Sequence, residues 1–186
     1  GMAYDARLNR TKLYLNNPAE YFKTLVTEIK AFIKKAERKG LTPLVRLNGT
    51  SDIRYENIGF VFDGVYFRNI FEYFPDLQFY DYTKIPNRFN SMNGIGDFPK
   101  NYDLTFSYSG ADGFQKYNDR ALKAGVRIAA VFDRVENIPV TFHKRKVVSG
   151  DETDVRHLDP QNVIVALYAK GKARKDTSGF VIQGGA

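Results

Sequence analysis

Apolar positions along this chain recur at helical spacing near the amino end and then collect into short, nearly unbroken runs. Tyr21, Phe22, Leu25, Val26, Ile29, Phe32, Ile33 and Ala36 fall three and four apart, which predicts an amphipathic helix of about six turns. Its start is well specified by Asn17-Pro18-Ala19-Glu20, with a side-chain cap, a proline in the first turn and an acid three residues after the cap, and Gly40 supplies the stop. The runs Leu44–Asn48, Leu77–Tyr82, Leu104–Tyr108, Val126–Phe132 and Val163–Leu167 read as strands covered on both faces.

Between these runs lie a short helical pattern at Phe67, Ile70, Phe71 and Phe74, stopped by Pro75, and another at Tyr117, Ala121 and Leu122, stopped by Gly125. Residues 85–101, with Pro86, Gly94, Gly96 and Pro99, read as one long loop of the kind that often forms a lid. Val140–His143 and Lys146–Val148 suggest a hairpin or insertion, and Ser178–Ile182 a final edge strand.

This alternation predicts a single α/β domain with a mainly parallel sheet. About five strands are too few for a closed eightfold barrel at the usual ~250 residues, so the expected architecture is an open or partial (β/α) barrel, with a flavodoxin-like doubly wound sheet as the second choice.

In a parallel sheet the carboxyl ends of the strands share one rim. That places Asn48-Gly49-Thr50-Ser51-Asp52, Asp81-Tyr82-Thr83-Lys84 and Ser107-Tyr108-Ser109 around one expected crevice. The candidate ligand-binding set is Arg46, Asn48, Thr50, Asp52, Asp81, Thr83, Lys84, Ser107 and Ser109, with Asp52, Asp81 and Lys84 as the candidate catalytic groups. Asp52, Asp81 and Asp133 would hold Mg²⁺ or Mn²⁺ if they converged, although an Asp after a strand is also a common turn or cap residue. Asp151, Glu152 and Asp154 share that ambiguity and lack the full calcium-loop pattern. His143 and His157 belong to no triad or zinc spacing, Ser107 and Ser109 lack the nucleophile-elbow context, and no phosphate-loop or dinucleotide fingerprint is present.

The net charge of +7 favours anionic partners, a small anionic ligand or nucleic acid. Lys30, Lys34, Lys35, Arg38 and Lys39 read as the solvated face of the long helix. Lys144, Arg145, Lys146, Lys170, Lys172, Arg174 and Lys175 are the better nucleic-acid candidates. Zero cysteines rule out an iron–sulfur cluster, a thiolate zinc site or a Cys nucleophile built by this chain. No apolar run reaches the ~20 residues of a membrane span, which suggests a cytoplasmic protein, and Gly1 before Met2 reads as a tag remnant.

Four blocks, Arg46–Asp52, Phe79–Lys84, Leu104–Ser109 and Ala169-Lys170-Gly171-Lys172-Ala173, with the Gly150-Asp151-x-x-Asp154-x-Arg156 turn and Asp176-x-Ser178-Gly179-Phe180-Val181, together resemble the phage "gene product eighty-eight" family over roughly Ala6 to Val181. The resemblance implies a phage, prophage or plasmid origin and transfers no activity. Longer relatives carry a Cys-rich segment upstream, and their scaffold resembles the partial barrel of radical S-adenosylmethionine enzymes. By that resemblance this chain is either the carboxyl-terminal part of a longer, truncated architecture or a scaffold kept without the redox chemistry. An upstream segment or a second copy would then complete the sheet.

Overall fold

The computed structural model describes residues 2–92, 98–153 and 155–184, and the expectations placed on Gly94, Gly96 and Asp154 lie outside them. The chain forms two compact units, one of residues 1–45 and 53–79 and the other of residues 46–52 and 80–186.

The first unit opens with helix α1 (Met2–Asn16), for which the hydrophobic pattern gave no signal, and continues into α2 (Pro18–Arg38). Asn17 caps α2 as its sequence indicates, accepting the Glu20 N–H at 3.2 Å, and Phe22, Val26, Ile29 and Ala36 are its buried stripe. After the short strand β1 (Leu44–Arg46) comes an antiparallel hairpin of β2 (Phe60–Phe62) and β3 (Val65–Phe67). Asp63 and Gly64, at φ +49° and +76°, make the turn that matches the twist of paired strands. Phe67 therefore lies on a strand, and helix α3 is only Ile70–Tyr73, capped by Asn69. Phe60 stacks on Phe22 at 4.8 Å between centroids, so the hairpin buries its aromatic face on α2.

The second unit holds most of the main sheet. Its strands continue as β4 (Gln78–Thr83), β5 (Tyr102–Ser107), β6 (Ile128–Phe132), β7 (Thr141–Phe142), β8 (Arg145–Ser149) and β9 (Ile164–Tyr168). Between them lie α4 (Phe89–Met92) and α5 (Gln115–Lys123). The seven-stranded order is β1-β4-β5-β6-β9-β8-β7, mostly parallel and open, in agreement with the expected fold class. β5, β6, β9 and β8 pair in parallel, and β7 turns back antiparallel on β8. The expected hairpin is therefore real, but it is part of the main sheet rather than an insertion. The expected edge strand near the end is reduced to one parallel bridge between Phe132 and Ile182. The long loop at 85–101 includes a 3₁₀ turn at Pro86–Arg88 and α4.

Side chains alternate across these strands, and the two faces differ. Phe79, Leu104, Phe106, Ile128, Ala130 and Ile164 are essentially inaccessible to solvent. Phe89 of α4 meets Phe106 at 6.5 Å between centroids, which helps to cover this face.

On the opposite face of these strands, charge is buried. Arg127, fully buried, donates to Thr105 Oγ1 at 2.9 Å and to the Asp159 carbonyl at 2.7 Å, and pairs with Asp103. Arg156, 1% exposed, donates to the Thr153 carbonyl and pairs with Asp159 at 3.2 Å. A Cβ at Gly150 would lie 2.4 Å from Arg156 Nη1, so glycine makes room for this guanidinium. Arg127 joins segments distant in sequence and Arg156 ties together its own turn, which is a structural use of charge.

Candidate functional site

Asp81 is not a rim residue, because β4 runs on to Thr83, and alternation turns Asp81 inward with Phe79 and Thr83. Its carboxylate, 1% exposed, accepts the Asn48 N–H at 2.8 Å, Asn48 Nδ2 at 3.1 Å and the Tyr102 hydroxyl at 2.7 Å, and Arg46 Nε lies 3.9 Å away. Burial pushes its pKa up to about 6, and the donors from Tyr102 and Asn48 with the Arg46 charge hold it from rising further.

The network continues without a break. Arg88, 2% exposed, donates from Nη2 to the Tyr102 hydroxyl at 3.2 Å and from Nη1 to Asp52 Oδ1 at 2.7 Å. Asp52 Oδ2 accepts the Thr83 hydroxyl at 2.8 Å and the Lys84 backbone N–H at 2.9 Å. Thr83 Oγ1 in turn accepts the Ile85 N–H at 3.0 Å, and Ser51 donates to Asn48 Oδ1 at 2.8 Å. Burial and the Asp81 carboxylate raise the Tyr102 pKa, so the phenol stays protonated and acts as donor to one side and acceptor to the other.

The structure thus brings together Asn48, Asp52, Asp81 and Thr83, four of the residues read from the sequence, but it spends their polar atoms on one another. Thr50 is exposed, Ser107 shares the strand face of Asp103 and Thr105 rather than that of Tyr102, and Ser109 is tied to Asn118 of α5. Arg88 and Tyr102, which join the two carboxylates, escaped the sequence reading. Tyr102 was visible in principle, since it keeps step with Leu104 and Phe106 on the inward face. Arg88 sat in a segment read as loop.

Lys84 differs from its neighbours. Its backbone is held by Asp52, while its ammonium reaches beyond the strand end to 4.3 Å from the centroid of Phe180 and 4.9 Å from that of Phe114. No side-chain hydrogen bond or ion pair engages its Nζ among the described residues. Burial lowers its pKa, opposed by the charge of Asp176. Asp176 itself organises the turn carrying Phe180, accepting the Ser178 hydroxyl at 2.7 Å and the Val181 N–H at 3.0 Å. That turn packs backbone to backbone on the one after β5, since a Cβ at Gly110 would lie 2.6 Å from the Gly179 carbonyl oxygen. The segments following β4, β5 and β9 therefore meet at Lys84.

The family model for Gene product 88 matches residues 2–184. The chain belongs to the Gene product 88 family. No curated protein and no solved structure matches it. In this family member the remaining candidates fall into two groups. Asp133 accepts Asn137 Nδ2 at 2.8 and 3.0 Å and the Arg134 N–H, contacts that lower its pKa, and among the described residues no group of three or more His, Asp or Glu is placed to hold a metal ion. Arg145 caps the carbonyls of Val126 and Leu122, and Lys170 pairs with Asp151 at 2.6 Å. Lys144, Lys146, Lys172, Arg174 and Lys175 are exposed. Among the described residues, no helix of the Gene product 88 chain is long and apolar enough to cross a membrane.

Proposed function

We propose that this mobile-element protein is a ligand-binding scaffold whose site is the carboxyl rim at Lys84, and that its ligand is a small anion. The observation that carries this reading is the Lys84 ammonium, half-buried between two phenyl rings with no hydrogen-bond acceptor for Nζ among the described residues. A desolvated cation gains most from an anion that supplies the missing acceptors. The polar network beneath serves as a pedestal: Asp52, fixed by Arg88 and Thr83, holds the backbone from which Lys84 projects. Asp52 and Asp81 are positioning residues in this reading. A thermal-shift panel of small phosphate and carboxylate compounds tests it, with at least one stabilising the protein and losing its effect in Lys84→Met. A panel in which every stabilising compound acts equally on that variant would refute the reading.

A second reading, nucleic-acid binding, draws support from the turn at Gly171–Lys175, which exposes Lys172, Arg174 and Lys175 together. It requires affinity that falls steeply with salt and weakens when these three are neutralised. Affinity indifferent to salt would remove it.

A further inference from the structure

We propose that Lys84 captures its ligand covalently, and that the ligand class is a small anion bearing an aldehyde or ketone. This rests on the reading of the rim as an anion site and deepens it by naming the ligand's reactive group. In the step, the lone pair of the neutral Lys84 amine forms a bond to the carbonyl carbon. The carbonyl oxygen departs as water with the two nitrogen protons, leaving an imine. No oxidant or reductant is needed.

Three features of the geometry point this way. The Nζ atom is at the end of a strand whose backbone is pinned by the Asp52 hydrogen bond, so the nucleophile is held at a defined origin rather than on a loose loop. No side chain among the described residues competes for its lone pair or protons through a hydrogen bond. The ring faces of Phe114 and Phe180 flank it, giving apolar walls against which a planar imine can lie. Burial also moves its proton affinity in the direction that nucleophilic lysines require. The rings and Asp176 favour the ammonium, so the amine is the minor form at rest, and capture draws on that fraction. An exposed lysine such as Lys172 or Lys175 has none of these features.

The test uses pyridoxal 5′-phosphate as a probe carrying both an anion and an aldehyde, with pyridoxine 5′-phosphate as the matched anion that lacks the aldehyde. After brief exposure near neutral pH, borohydride reduction and peptide mapping are expected to find the label at Lys84 ahead of Lys172 and Lys175. Lys84→Arg is expected to lose the label at position 84 while Lys172 and Lys175 are labelled as before. Label confined to the exposed lysines, with pyridoxine 5′-phosphate still bound through Lys84, would overturn the covalent proposal and leave the anion site standing. Absence of both label at Lys84 and binding of pyridoxine 5′-phosphate would overturn the proposal together with the reading beneath it. Circular dichroism of the Lys84→Arg variant guards against a loss caused by unfolding.

Discussion

Removing the Tyr102 hydroxyl probes the buried network at its centre and has a pH signature that simple packing loss would not produce. Asp81 titrates at about 6 in the folded protein against an ordinary value of 3.8. Between those values the unfolded chain releases a proton that the folded chain retains, so stability falls as pH rises. The rise of about two units corresponds to ~3 kcal/mol at 1.36 kcal/mol per unit, absent below pH 4 and complete above pH 6. Tyr102→Phe removes a 2.7 Å donor to that carboxylate with almost no change in shape. The loss of a hydrogen bond to a charged acceptor costs about 1.5–3 kcal/mol where Asp81 is ionised, and loss of the phenol oxygen that accepts from Arg88 adds a cost that does not vary with pH. The variant's deficit is therefore expected to be smaller at pH 4 and to grow as pH rises to 7.5. Urea denaturation followed by far-ultraviolet circular dichroism at half-unit steps of pH measures both curves. Asp133 and Asp176, whose pKa values are lowered, act below pH 4, outside this window. His143, lowered by burial, adds stability as pH approaches 6.5 and is common to both proteins. Parallel curves for the wild type and the variant would refute the assignment of this pH dependence to Asp81.

Three further outcomes follow from the geometry. Arg88→Met strips Asp52 and Tyr102 of a buried partner and should cost about 3 kcal/mol in urea denaturation, at the low end for a broken buried pair because Asp52 keeps two other donors. Gly110→Ala forces a Cβ to 2.6 Å from the Gly179 carbonyl; we expect a loss of about 1–3 kcal/mol and faster proteolysis of the 176–180 turn, whereas unchanged protection there would contradict the close approach. Mg²⁺ and Mn²⁺ should leave the melting temperature unchanged, since Asp52 and Asp81 already accept hydrogen bonds from five donor groups of the protein other than Tyr102; a shift that disappears in Asp52→Asn would restore these carboxylates as metal ligands.

The chain's local signals were sufficient for the elements that local physics dictates. The capped α2 follows from Asn17, Pro18 and the spacing of its apolar stripe, and the parallel strands follow from unbroken apolar runs too short for helices. Asp63-Gly64 also carried the hairpin signal, although the aromatic spacing around Phe67 suggested a helix. Local pattern picked out the polar blocks that contain Asn48, Asp52, Asp81, Thr83 and Lys84 as well, although Asp81 and Thr83 lie within β4 rather than beyond it. What it could not assign was which of these face each other and which face outward. That depends on where each strand stops and on the parity of positions along it: a one-residue slip of β4 would have turned Asp81 to the opposite face of the sheet and brought Lys84 to the face Asp81 now occupies. Tertiary pairing also supplied Arg88, Tyr102, Phe114 and Phe180 from segments far away in the chain. Only that pairing turns two acids into a support and leaves one lysine at the carboxyl rim, because the partners that desolvate or neutralise a charge are set by packing in space rather than by neighbours in sequence.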